Sequence, residues 1–238
     1  MLVVRIATEQ DGRSASDLTA RARIRDAAIA CFAEQGFDAS FRTIAARAGV
    51  SAGLITHHFG AKAALRAECD ADVLRRYHTL KREAMGDPSG YLVEWLARPG
   101  DAAVVLVYML RAIHAGGRPA RDFLENLVDH ARVIMAESVA SGLVRPSRDE
   151  EARTRYLTYQ GMGAMLVQFL VDPDRTPDAF VASVRQQEQG QILPSLELYT
   201  EGLLSDRRML DDYLMYVGDP PGGTARADGD ADAPARTA

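Results

Sequence analysis

Residues 40–62 read SFRTIAARAGVSAGLITHHFGAK, and the spacing of small and apolar residues in that stretch leaves few folds open. Ile44, Ala45 and Ala48 share one face of a short helix. Gly49 follows, where the chain must turn sharply and a Cβ would be strained. Val50 is placed to plug the gap between two helices. Ser51 suits the N-cap of the second, its hydroxyl taking an orphan backbone N–H. Ile55 and Phe59, one turn apart, face inward, and Ala45 is small enough to let the helices approach. The spacing predicts a helix-turn-helix, whose second helix enters the DNA major groove. An ordinary αα-hairpin in a helical core is the alternative.

On that second helix Ala52, Gly53, Thr56 and His57 share the outward face. Small residues there permit close groove contact, and Thr56 and His57 can bond base edges or phosphates. His58 falls toward the inner margin and is assigned to a phosphate at the groove lip. Lys62 opens the next helix and can reach the backbone as a point charge. Ser40 caps the first helix, whose N-terminus can also receive a phosphate. With Arg42 and Ser51, these residues form the expected DNA-binding set. A metal site at His57-His58 is the weaker reading, because adjacent residues diverge on a helix and no third ligand stands nearby in sequence.

Residues 21–65 resemble the DNA-binding domain of TetR-family transcriptional regulators. The resemblance rests on ARIRDAAIACFAEQGFDAS, with its Gly36-Phe37 exit, and on FRTIAARAGVSAGLITHHFGAKAAL, where His58-Phe59-Gly60-Ala61-Lys62 matches the family's His-Phe-x-x-Lys signature. Two departures stand out. Thr56 and His57 occupy positions that are usually aromatic, so those contacts transfer in position but not in chemistry. Thr43 replaces a common acidic residue, which removes a capping-box partner for Ser40. The resemblance implies a homodimeric regulator, most often a repressor, that binds a palindromic operator and is released by a small molecule. It also implies that the last long helices of two subunits pair, here those near 149–171 and 192–204. For 149–171 an ordinary internal core helix is the alternative.

The net charge of −5 is unpromising for a DNA binder until it is divided along the chain. Residues 1–66 carry nine Lys+Arg against six Asp+Glu, a net +3, and the other 172 carry 19 against 27, a net −8. The basic excess therefore coincides with the proposed DNA contact. No run of about 18 apolar residues suggests a membrane span, and the start has too short an apolar run for a signal peptide. A cytoplasmic location is expected. Cys31 and Cys69 form no metal or redox pattern, and Cys31 falls on an apolar helix face as a small core residue.

The periodicity elsewhere is helical throughout, so the fold class is all-α: an N-terminal three-helix DNA-binding domain plus a C-terminal helical ligand-binding and dimerisation domain. Expected helices cover 17–35, with Ile24, Ala28, Cys31 and Phe32 buried, and 62–85, with Leu65, Val73, Leu74, Tyr77 and Leu80 packing. Others fall at about 91–97, 101–115, 119–142, 149–171, 178–188, 192–204 and 206–215. The segment 156–171 is apolar almost all round and is expected to be buried on more than one side. The expected organisation is a flexible arm at 1–16, the DNA-binding domain at 17–61, the effector and dimerisation domain at 62–217, and a disordered tail at 218–238. That tail lacks large apolar residues.

Trp95, Tyr108, Met109, Arg111, His114, Phe123, Leu127, His130, Tyr156, Tyr159 and Gln160 could line a small-molecule pocket, having the mixture of apolar walls and polar anchors such sites need. A normal core has the same composition. No cofactor and no metal site is expected. The Gly161-Met162-Gly163 run has no strand before it and does not read as a nucleotide loop. No nucleophile turn or metalloprotease pattern supports an enzyme. An architectural or activating DNA-binding protein without an effector is the remaining alternative.

Overall fold

The computed structural model describes residues 15–86 and 100–218. Nine α-helices run through them: α1 (Ala15–Gln35), α2 (Phe41–Ala48), α3 (Ala52–Phe59), α4 (Lys62–Gly86), α5 (Gly100–His114), α6 (Gly117–Ala140), α7 (Glu150–Val171), α8 (Pro177–Thr200) and α9 (Arg208–Tyr216). No strand occurs among the described residues. Residues 1–14 of the arm expected at 1–16, the expected helix at 91–97 with Trp95, and residues 219–238 of the tail expected at 218–238 lie outside them, and α1 already begins at Ala15, inside the expected arm. Where helices were expected at 178–188 and 192–204, one continuous helix, α8, runs with Pro194 inside it. A proline withholds a single backbone donor and crowds one carbonyl, and the turns on either side carry α8 through.

The described residues form two compact units that part between Gln186 and Gln187. In the first, α1 packs on α2, α4 and α5, α4 packs on α5 and α6, and α7 closes against α6 and α5. The stripe expected on α1 is buried: Ile24, Ala28, Cys31 and Phe32 are each no more than 1% exposed. One apolar cluster joins these residues to Ile44, Ile55 and Leu65, and onward to Tyr108, Leu110, Phe123 and Phe169. The short helices are thus welded to the longer ones through α1, with no separate small core of their own. Tyr77 and Leu80 pack on the same cluster from α4.

Ion pairs tie α1 to α4: Arg76 of α4 pairs with Asp26 of α1, and two others form successive rungs. Arg21 donates from Nε to Glu68 Oε2 at 3.0 Å. One turn on, Arg25 Nε lies 3.4 Å from Oδ2 of Asp72, which is buried. The spacing of four residues on both helices brings the rungs into register.

In the second unit, Leu193, Leu196 and Tyr199 of α8 are exposed, as are Leu203, Met209, Tyr213 and Tyr216, whereas Leu214 is buried.

Candidate nucleic-acid interface and ligand cavity

The turn between α2 and α3 follows from its residues. Ser40 Oγ accepts from Thr43 N at 3.1 Å and lies 3.0 Å from Thr43 Oγ1, so a hydroxyl pair stands where an acidic residue would close a capping box. Gly49 adopts the left-handed conformation, φ 66°, and Val50 N donates back to Ala45 O at 3.0 Å. A Cβ on Gly49 would also come within 3.2 Å of Arg23 Nη2, which donates to Ala48 O at 2.6 Å. Ser51 Oγ then accepts from Leu54 N at 3.2 Å and starts α3.

Ile55 is fully buried and Phe59 nearly so, and they fix the roll of α3. That roll leaves Ser51, Ala52, Gly53, Thr56 and His57 exposed together, with Ser40 and Arg42 exposed at the start of α2. His58 and Lys62 are half-buried. Thr56 Oγ1 spends its proton on Ala52 O at 3.3 Å, which leaves its lone pairs turned outward as acceptors. The His57 and His58 rings stand edge-on with centroids 5.4 Å apart. Among the described residues no three His, Cys, Asp or Glu side chains converge as a metal site.

Sequence reasoning missed the residues that hold α3 in place. Arg21 Nη1 donates to His58 O at 2.6 Å, and its guanidinium sits 4.5 Å over the Phe59 ring. The signal was present: Arg21 and Arg25 are four apart, as are Glu68 and Asp72.

A cavity of about 680 Å³ opens beside α1, α4 and α6. Phe123 and His130 line it, joined by Phe32, Phe37, Arg66 and Asp70, which the sequence reading did not assign to a pocket. The other expected pocket residues are placed elsewhere. Tyr108 and Met109 are fully buried and Leu127 nearly so, and none of them lines it. Arg111 donates to Ala33 O at 2.6 Å, Glu34 O at 2.9 Å and Arg175 O at 3.2 Å, so it caps the C-terminus of α1. Burial, then the Arg175 charge, pulls its guanidinium below the ordinary range. His114, Tyr156 and Tyr159 are exposed and Gln160 is half-buried. Tyr108 donates its hydroxyl to Asp70 Oδ1 at 2.6 Å. Burial pushes the Asp70 carboxyl up from its ordinary value, against the Tyr108 hydrogen bond and the Arg66 charge, which draw it back.

Within the single protomer, the segment expected to be buried on more than one side is buried on one. Thr154, Met162, Gln168 and Phe169 of α7 face inward, while Tyr156, Tyr159, Val167, Leu170 and Val171 form an exposed stripe. A Cβ at Gly161 or Gly163 would meet nothing within 4 Å.

Residues 24–69 match the family described as bacterial regulatory proteins, tetR family, and residues 101–205 match the tetracyclin repressor-like, C-terminal domain. The chain is 40% identical over 201 residues to the HTH-type transcriptional regulatory protein RaaS of Mycobacterium tuberculosis, covering 84% of this chain and 93% of that protein. The chain belongs to the TetR family of transcriptional regulators. A TetR-family regulator from Pectobacterium atrosepticum aligns with a TM-score of 0.47 at 23% identity, over 82% of this chain and 99% of the other. A structure described as the molecular basis for control of antibiotic production by a bacterial hormone aligns at 0.48 and 20% identity, over 75% and 98%. Membership makes this chain a DNA-binding regulator of transcription with its TetR-type helix-turn-helix in α2 and α3. Among the described residues no helix is long and apolar enough to cross a membrane.

Proposed function

We propose that the protein is a cytoplasmic, ligand-responsive repressor that binds a palindromic operator as a homodimer. The exposed outer face of α3, held by buried Ile55 and Phe59, carries this reading. Ala52, Gly53, Thr56 and His57 enter the major groove, with Thr56 and His57 reading base edges. Ser40, Arg42, Ser51, His58 and Lys62 hold the flanking phosphates. The residues at 149–171 and 192–204 supply the dimer interface, which the exposed stripe on α7 and the exposed leucines of α8 favour. Two copies of α3 then address half-sites roughly 34–36 Å apart.

Release follows from that spacing requirement. A small molecule bound against α4 favours a different separation of the two recognition helices, and its differential affinity for the two arrangements sets the shift. A coupling of about 1–3 kcal/mol, or 5- to 150-fold in operator affinity, is the size expected. The test is footprinting of the DNA upstream of the protein's own coding sequence, with and without candidate compounds. Two protected half-sites one turn apart support the reading. Uniform weak binding to all DNA overturns it.

A further inference from the structure

The outer face of α3 is short of the side chains that grip bases through two hydrogen bonds at once. The helix reads AGLITHHF and carries no arginine, lysine, asparagine or glutamine. Ala52 and Gly53 offer the groove a methyl group and bare backbone. Base reading on this face therefore falls to Thr56 and His57, and the hydrogen bonding of Thr56 is already half decided.

Thr56 Oγ1 lies 3.3 Å from Ala52 O. A carbonyl oxygen can only accept, so the hydroxyl proton is committed to it and Oγ1 is left as an acceptor. A helical side chain leans over the turn before its own Cα, and that turn here holds Ala52 and Gly53. Neither is tall enough to screen Oγ1. A Cβ added at Gly53 would meet Ser51 Oγ alone, at 3.8 Å, so the turn is open. Thr56 is itself exposed.

A duplex offers this oxygen few partners. Phosphate oxygens, purine N7 and the keto oxygens of guanine and thymine are all acceptors, so Thr56 could serve them only by withdrawing its proton from Ala52. The donors in the major groove are the exocyclic amines, N6 of adenine and N4 of cytosine. An amine leaves the Ala52 bond intact and adds a second. A keto oxygen merely exchanges one bond for another. One such bond is worth about two- to tenfold in an equilibrium.

We propose that Thr56 selects a base with an exocyclic amine, adenine or cytosine, on one strand of each half-site, and disfavours guanine and thymine there. The proposal rests on the operator reading above, in which α3 lies in the major groove. Every base pair carries one such amine, on one strand alone. Thr56 therefore reads which way round a pair stands: it separates A·T from T·A and C·G from G·C.

The test uses the full-length protein and the duplexes it enriches from a random library. A second enrichment with Thr56→Val, which keeps the branched shape and loses the hydroxyl, locates the position that Thr56 reads. Wild type enriches adenine or cytosine there, Thr56→Val relaxes that preference about two- to tenfold, and Thr56→Ser keeps it. Purine in place of adenine, or 2-pyrimidinone in place of cytosine, then removes the amine and shows which base supplies it. Each analogue weakens wild type about two- to tenfold more than it weakens Thr56→Val, a comparison that cancels the effect of the lost base pairing. Should Thr56→Val fail to fold, Thr56→Ala serves as the protein without the hydroxyl. Guanine or thymine enriched at that position overturns the proposal, as do equal analogue losses in wild type and variant. An enriched site that is indifferent to Thr56→Val defeats the amine contact alone, whereas enrichment of no sequence defeats the operator reading along with it.

Discussion

Arg21 reaches from α1 to the last turn of α3, donating to the His58 carbonyl at 2.6 Å while its guanidinium covers the Phe59 ring. The same side chain is paired with Glu68 of α4. One residue therefore fixes the C-terminal end of the recognition helix to both of its supports. The Arg21–Glu68 pair is partly solvated, so its own contribution is small. The hydrogen bond to a helix-terminal carbonyl and the ring contact add to it.

Arg21→Ala removes all three contacts. A loss of about 1–2 kcal/mol is expected, a drop in melting temperature of about 2–8 °C for a chain of this size. Operator affinity falls with it, because α3 loses its fixed angle. Thermal melting and fluorescence anisotropy on operator DNA check both. Unchanged melting would show that the remaining contacts of α3 suffice.

Two glycines, Gly49 in the turn and Gly53 on the outward face of α3, have opposite expectations. Gly49→Ala places a Cβ in the left-handed region and against Arg23 Nη2 at 3.2 Å, and costs about 1–2 kcal/mol in chemical denaturation. Gly53→Ala meets only Ser51 Oγ, at 3.8 Å, and stabilises α3 by up to about 1 kcal/mol. Yet it adds a methyl group to the exposed face, so operator affinity falls while the melting temperature rises. A parallel rise in both would remove Gly53 from the groove-facing set.

Lys62→Ala and Thr56→Ala separate charge from reading. Lys62→Ala weakens binding to all sequences and makes the slope of log affinity against log salt shallower by about one. Thr56→Ala leaves the slope alone and relaxes sequence preference, since the outward acceptor of its hydroxyl is lost. Titrations at several salt concentrations on operator and random duplexes check this pair. Equal losses for Thr56→Ala on both duplexes would count against base reading.

Asp70 predicts a pH dependence whose sign can be worked out. Burial raises its folded-state value above the ordinary 3.8, so the fold binds a proton more readily than the unfolded chain does. Its contribution is most favourable below about pH 3.8 and is lost as pH climbs through the higher folded-state value. Asp70→Asn, whose side-chain oxygen can still accept from Tyr108, therefore stabilises the protein at pH 7.5, and the gain shrinks toward acid pH. Melting curves across that range check it. A gain that grew on acidification would have the wrong sign.

The legible parts of the fold were those set by local geometry. Gly49, the two serine caps and the Ile55–Phe59 step define the turn within a dozen residues, and the buried stripe of α1 follows from one helical period. What escaped depended on partners distant in sequence. Arg111 has the composition of a pocket residue, but its donors are spent on the end of α1, 77 and 78 residues away. Tyr108 was grouped with the pocket, whereas its ring is buried and only its partner Asp70 reaches the lining. Arg66 was invisible because an arginine four residues before an aspartate reads as a surface ion pair. Only its stacking on Phe37 turns it inward. The break expected between the helices at 178–188 and 192–204 does not occur, since α8 runs unbroken from Pro177 to Thr200.

The exposed stripe on α7 bears on assembly. Val167 is 64% exposed and Val171 75%, on a helix whose opposite side is buried against its neighbours. Leaving such a stripe in water forgoes roughly 25 cal/mol for each Å² of apolar surface that pairing would cover. Val167→Glu puts a charge in the middle of it. The protomer folds normally, since Val167 is mostly exposed within it, but a carboxylate sealed between two apolar faces is too costly to tolerate. Light scattering should report the mass of one chain, 25.9 kDa, in place of two. Operator affinity should drop at least tenfold, because each half-site then binds its own protomer without the local concentration that pairing supplies. A Val167→Glu protein that still runs as a dimer would move the interface off this face of α7.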